Sequence, residues 1–184
     1  MLKEFEYYLL AQFKVVPQTV YEILLSLFII GAITLLVLFG KKASRYIWGL
    51  LLTEYLFFVY GATVIFRKTI PTLNHYFTPL WSYRSLFKGV TSDLLNEIIL
   101  NVALFIPIGI LCGALVSKGT KKQYWLPVFL FGIGLSIGIE LLQLVLKKGS
   151  FEFDDIFHNT LGCLLGFFIW LGMAKLTEQF KRLW

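Results

Sequence analysis

The sequence predicts an all-α protein, a polytopic transmembrane helix bundle of about five spans with interfacial or re-entrant segments between them. Three observations carry this. The 184 residues are 58% hydrophobic and only 15% charged, whereas a soluble domain averages roughly 45–50% apolar and about 25% charged. The apolar residues fall in runs of about 20, the length a spanning helix needs. The cations gather at the ends of those runs, where membrane orientation places them.

Each run has its own punctuation. The first covers residues 19–39 and is closed by Gly40 and the basic stretch Lys41, Lys42 and Arg45. The second, 47–66, ends at Arg67 and Lys68. The third, fourth and fifth cover 94–116, 124–146 and 156–174. Between the second and third lies a mixed segment of residues 69–92 that holds Pro71, His75, Pro79, Trp81, Tyr83 and Arg84. It is too polar to span and too aromatic for a free linker, so it is expected to lie in the interface or to re-enter. Residues 1–18 carry Phe5, Tyr8, Leu9, Gln12 and Phe13 at helical spacing, which suggests an interfacial helix ending near Pro17. Glu4 and Glu6 spoil the basic start of a cleavable signal, so this segment is expected to be retained. The whole chain, 1–184, reads as one domain.

Composition also excludes function classes. Lys and Arg outnumber Asp and Glu, 17 to 11, but these cations flank apolar runs, so no nucleic-acid partner is expected. Cys112 and Cys163 both lie inside apolar runs and read as reduced packing residues. Zinc-ligand spacing and a P-loop are absent from the sequence. The cations on the two sides are nearly equal in number, so their density in the short connections decides orientation. The 1–2 connection, the 3–4 connection (Lys118, Lys121, Lys122) and the tail (Lys175, Lys181, Arg182) are the dense ones. The N-terminus is therefore expected outside and the C-terminus in the cytoplasm.

Ionisable groups inside a membrane are costly and face the bundle interior or water. Glu97 and Asn101 are spaced i,i+4 on the third run, and Glu140 and Gln143 are spaced i,i+3 on the fourth. Asp154 and Asp155 open the fifth run, with Asn159 one turn inside. At 1.5 Å per residue, Asn101 lies roughly 12 Å and Glu140 about 10 Å from the surface where Arg67, Lys147 and the Asp pair sit. These residues therefore share one leaflet. Plainer roles compete: Asp154 as the N-cap of its own helix, Asp155 complementing the helix dipole, and the amides as interhelical hydrogen-bond glue. Glu140 resists such a reading, because it follows the apolar stretch FLFGIGLSIGI. Glu54 lies deeper, halfway along the second run, with no assigned role. Gly162 and Gly166 form a small-xxx-small face suited to close helix packing. His75 reads as structural, and Trp81 and Tyr83 as interfacial belt residues.

At these residues the chain resembles the VanZ-like family, named for a protein of teicoplanin resistance. NVALFIPIG (101–109), SIGIELLQ (136–143) and FEFDDIFHNTLGCLLG (151–166) are similar to three blocks of that family, and TPLWSY (78–83) to the weaker region before them. The resemblance covers about residues 60–175. It departs at Lys147 and Lys148, where members often carry an arginine, and lysine offers no planar fork. The resemblance implies a bacterial cell membrane protein and, for some members, reduced susceptibility to teicoplanin-type glycopeptides.

Three functional expectations follow. In the first, a non-catalytic envelope protein binds membrane lipid, a lipid-linked cell-wall precursor or a lipoglycopeptide in an outward-facing polar pocket. Arg67, Arg84, Asn101, Glu140, Gln143, Asp154, Asp155 and Asn159 would line that pocket. In the second, a membrane enzyme acts on a lipid-linked substrate, with Glu140 or Asp155 catalytic. No cofactor is expected in the first; a divalent metal on Asp154 and Asp155 belongs to the second. A small transporter using Glu140 as proton carrier ranks third, because no inverted repeat is visible.

Overall fold

A computed structural model describes residues 14–70, 75–76, 78–88, 92–116 and 124–183. It is helical throughout, apart from one two-residue strand pairing among the described residues. Helix α1 spans Gln18–Phe39, and α2 spans Ser44–Tyr60 and continues through a wide π-helical turn, Gly61–Ile65. The short helix α3 is Trp81–Phe87. Helices α4, α5 and α6 are Ser92–Val116, Trp125–Val145 and Phe153–Leu183. Strands β1 (His75–Tyr76) and β2 (Phe151–Glu152) pair in parallel, His75 with Phe151 and Tyr76 with Glu152.

Five of these helices are long and apolar enough to cross a membrane: 18–39, 44–65, 94–116, 125–145 and 153–179. The sequence-based spans agree within a few residues, except at the end of α6. That helix starts earlier than expected, with Asp154 and Asp155 in its first turn, where negative charge complements the positive end of the dipole. It also runs past the apolar region into a tail of good helix formers. The expected helix of residues 1–18 lies almost wholly outside the described residues.

The core is an α4–α6 pair whose backbones touch. A Cβ on Gly162 would collide with the Val102 carbonyl, one on Gly166 with the Ile106 carbonyl, and one on Gly109 with the Cys163 carbonyl. Along the contact Val102 meets Gly162, Ile106 meets Gly166 and Gly113 meets Trp170, so both numbers rise together and the two helices run parallel. Helix α5 also packs against α6, where Gly132 faces Cys163, whose thiol lies 3.7 Å from the Val128 carbonyl. Cys112 and Cys163 are free and buried, as the sequence suggested. Helix α2 closes on α4: Tyr55 donates its phenol to the Leu104 carbonyl at 2.9 Å, in the turn that the internal Pro107 perturbs. Helix α1 is peripheral and contains no buried residue. It is joined to α2 through Gly40, whose φ of +52° suits glycine alone without strain, and Gly31 accepts the side chain of Leu50.

Candidate functional site

The site grows from helix ends that finish one another. Helix α2 ends with carbonyls that have no helical partner. Gln143 on α5 donates its side-chain amide to the Thr63 carbonyl at 3.1 Å. Lys148 donates its ammonium to the Arg67 carbonyl at 2.5 Å and lies 3.4 Å from that of Ile65, adding a cation at the negative end of the α2 dipole. Lys148 reaches back because α5 ends in a Schellman turn. There the Lys148 N–H donates to the Gln143 carbonyl at 2.8 Å and the Lys147 N–H to that of Leu144 at 3.2 Å, with Lys147 left-handed at φ +55°.

Asp154 does the same for α3. It is 1% exposed and accepts from the Leu80 N–H at 2.6 Å, the Ser82 N–H at 2.9 Å and the Ser82 hydroxyl at 2.5 Å. The reading of Asp154 as the cap of its own helix is corrected: it caps α3 from outside, and both of its oxygens are engaged there. The segment that the sequence placed in the interface is therefore held, over its described part, against the start of α6. Asp155, the other half of the pair considered for a metal, turns elsewhere. Its Oδ1 lies 4.0 Å from Nδ1 of His158, and Nε2 of His158 lies 3.0 Å from the Tyr83 phenol. Because Asp155 can only accept, this geometry suits an imidazole with its proton on Nδ1 and the phenol donating to Nε2. Burial, aided by the Asp154 carboxylate, pushes the Tyr83 phenol up from its ordinary value, so it stays a neutral donor.

Glu140 lies against this assembly. It is 2% exposed, with Oε2 accepting the Glu152 N–H at 2.9 Å. It is close enough to feel the charges of Asp155, Glu152 and Arg67. Glu97 lies exposed on α4 within reach of Asp155, Arg67 and His158. Burial first, then Asp155 and Glu97, push the half-buried Glu152 up to about 8 against the opposing pull of Arg67. Asn159 donates to the Ser136 hydroxyl at 2.9 Å, while its Oδ1 and the Nδ2 of Asn101 are buried without a hydrogen-bond partner.

The structure thus gathers Arg67, Glu140, Gln143, Asp154, Asp155 and Asn159 at one end of the bundle, with Asn101 on the neighbouring helix. Arg84 lies on α3, exposed. Glu54 stays apart in the middle of α2, with Oε1 buried and unpartnered. The His75 side chain lies outside the described residues. The sequence reading missed His158, Glu152 and Ser82 and took Tyr83 for a belt residue. His158 had a signal, since it stands i,i+3 from Asp155; the link to Tyr83 crosses 75 residues of sequence and had none.

A helical membrane bundle with a carboxylate-rich constellation at one end defines the class: a polytopic membrane protein with a polar site built from helix termini. The family model described as VanZ/LLP1 matches residues 27–175, and the chain belongs to that family. Among curated proteins, "Protein VanZ" of Enterococcus faecium is 35% identical over 71 residues, which cover 39% of this chain and 42% of that protein. The matched stretch is thus under half of that relative's length. No solved structure matches.

Proposed function

We propose that this protein binds a lipid-linked cell-wall component or a lipoglycopeptide at the polar end of its bundle and thereby lowers susceptibility to teicoplanin-type glycopeptides. In this reading the site faces outward across the bacterial cell membrane, with the N-terminus outside and the C-terminus in the cytoplasm. The observation that carries it is Glu140. An ionisable side chain buried in an otherwise apolar helix is costly unless it has a task, and here it is surrounded by Glu152, Asp155 and Arg67. Exposed Arg67, Lys68 and Arg84 would meet the phosphate or carboxylate of such a ligand.

The test is glycopeptide susceptibility of a sensitive bacterial host expressing the wild type or Glu140→Gln, with membrane level followed by immunoblot. Glutamine keeps the size and the acceptor for the Glu152 N–H, so the variant is expected to reach the membrane and lose protection. Full protection by Glu140→Gln at equal level, or wild type that leaves susceptibility unchanged, overturns the reading.

The Tyr83–His158 hydrogen bond, with Asp155 4.0 Å from the other ring nitrogen, favours a second reading, an enzyme acting on a lipid-linked substrate. A phenol backed by an imidazole and a carboxylate can transfer a proton to or from a bound group. Here Tyr83→Phe would abolish turnover and spare binding.

A further inference from the structure

Two chain segments leave the membrane side by side at the polar end, after the spans 44–65 and 125–145. They are tied together there. The Ile70 N–H donates to the Lys147 carbonyl at 2.9 Å, and the Lys148 ammonium donates to that of Arg67 at 2.5 Å. A Cβ on Gly149 would lie 3.4 Å from Nη1 of Arg67, so the guanidinium rests over bare backbone. Arg67, Lys68, Lys147 and Lys148 thus converge from parts of the chain 81 residues apart. Residues 63–70 and 141–151 contain no Asp or Glu. Both segments follow helix C-termini, whose carbonyls and dipoles repel an anion. That negative end is already answered, because Lys148 covers the α2 carbonyls and the Schellman turn closes α5. The charges of Arg67, Lys68 and Lys147, all exposed, are left over. Among the described residues, none of these three lies within 4.0 Å of a carboxylate. Next to them in the chain, on the membrane side, stand Ile65, Val145 and Leu146, also exposed. Cations above exposed apolar side chains match a molecule with an anionic head and an acyl tail.

We propose that the paired ends of α2 and α5 seat the doubly charged phosphate head of a membrane lipid, with its tail along Ile65, Val145 and Leu146. The inference rests on the proposed binding function and deepens it, naming the group recognised and the surface that takes it. Three unspent cations are more than a single charge needs, and a phosphomonoester carries about −1.5 to −2 at pH 7. Arg67 can hold two phosphate oxygens through its fork, while Lys68 and Lys147 act as point charges. Lys148 is a positioning residue: it fixes the Arg67 backbone beside Lys147. Arg67 also lies within electrostatic reach of Glu140, so the head sits at the edge of the carboxylate site.

The test uses the purified full chain in neutral maltoside micelles and titration calorimetry with short-chain lipids. Dihexanoyl phosphatidic acid supplies a phosphomonoester, and dihexanoyl phosphatidylglycerol a singly charged phosphodiester. Dihexanoyl phosphatidylcholine supplies the same tails without net charge, and inorganic phosphate the head alone. The expected result is saturable binding of phosphatidic acid at least about tenfold tighter than phosphatidylcholine, with phosphatidylglycerol between them and inorganic phosphate weaker than phosphatidic acid. Lys68→Gln and Lys147→Asn should each weaken phosphatidic acid about fivefold, the share of one cation at a charged surface. Both side chains are exposed, and asparagine tolerates the left-handed backbone at Lys147, so these variants keep the fold. Lys42→Gln removes one charge at the opposite end of α2 and should bind like the wild type. Inorganic phosphate or phosphatidylglycerol as tight as phosphatidic acid overturns the proposal. So does unaltered binding in both patch variants, or a loss in Lys42→Gln equal to that in Lys68→Gln. Glycopeptide susceptibility separates the two failures. Protection by the wild type without charge-selective lipid binding sinks this inference alone, and such binding without protection sinks the proposed function alone.

Discussion

Among single residues, Glu152 carries a consequence that can be read from pH alone. Its folded value near 8 stands well above the ordinary 4.5. Between those values the folded chain keeps a proton that the unfolded chain has lost, so stability falls as pH rises through that window and is unaffected below it. Wild-type thermal stability in detergent should therefore decline between about pH 5 and about pH 8, and Glu152→Gln should flatten the decline. For a chain of this size, about 1 kcal/mol corresponds to roughly 2–4 °C in Tm. Parallel curves for the two proteins would show that Glu152 is not held protonated by its neighbours. Glu152 stands beside the conspicuous Asp pair and went unremarked in the sequence, because its burial comes from contacts of β2 with α5 and β1 that no local pattern reports. Glu140 was legible for the opposite reason: a charge inside an apolar helix is conspicuous without any partner.

Among the elements, the α4–α6 interface separates glycines that are needed from glycines that are not. Gly162 lies where a methyl would strike the Val102 carbonyl, whereas a methyl on Gly134 of α5 meets nothing within 4 Å. Gly162→Ala should force the parallel helices apart and destabilise the protein by about 1–3 kcal/mol. Gly134→Ala should be neutral or stabilising by up to about 1 kcal/mol, through helix propensity. Detergent melting of the two variants checks this, and equal effects would mean that α4 and α6 do not touch through backbone. The small-xxx-small spacing of Gly162 and Gly166 made the packing legible, but spacing could not say that α4 was the partner. The capping of α2 by Gln143 and Lys148, and of α3 by Asp154, was hidden for a related reason. A helix end can be finished by any nearby side chain, and these come from 72 to 83 residues away. Two of the eight expected ligand residues, Gln143 and Asp154, thus have a structural task that only the fold reveals.

For the molecule as a whole, the spans were legible because hydrophobic length is a property of the sequence itself. Orientation rests on loop charge and is open to a direct measurement. Cysteines introduced at Ser150 or Thr72 should react with an impermeant reagent added outside, whereas those at Ser44 or Gly119 should not. The native Cys112 and Cys163 are buried and stay silent. Reaction at Ser44 without reaction at Ser150 would invert the molecule and turn the polar site toward the cytoplasm.

The parallel pairing of α4 with α6 also sets an order of assembly. Chains are made from the N-terminus, so α4 enters the membrane while its closest partner is still unmade, and α5 must cross back before α6 can arrive. During that interval Gly109 and the carbonyls of Val102 and Ile106 face lipid or an insertase rather than the helix that fits them. Asp154 and Asp155 arrive at the start of α6, so α3 gains its cap and Glu140 its neighbouring carboxylates only once that helix has been made. The polar site therefore forms only after the four preceding spans, and a nascent chain that stops before α6 has spans but no site.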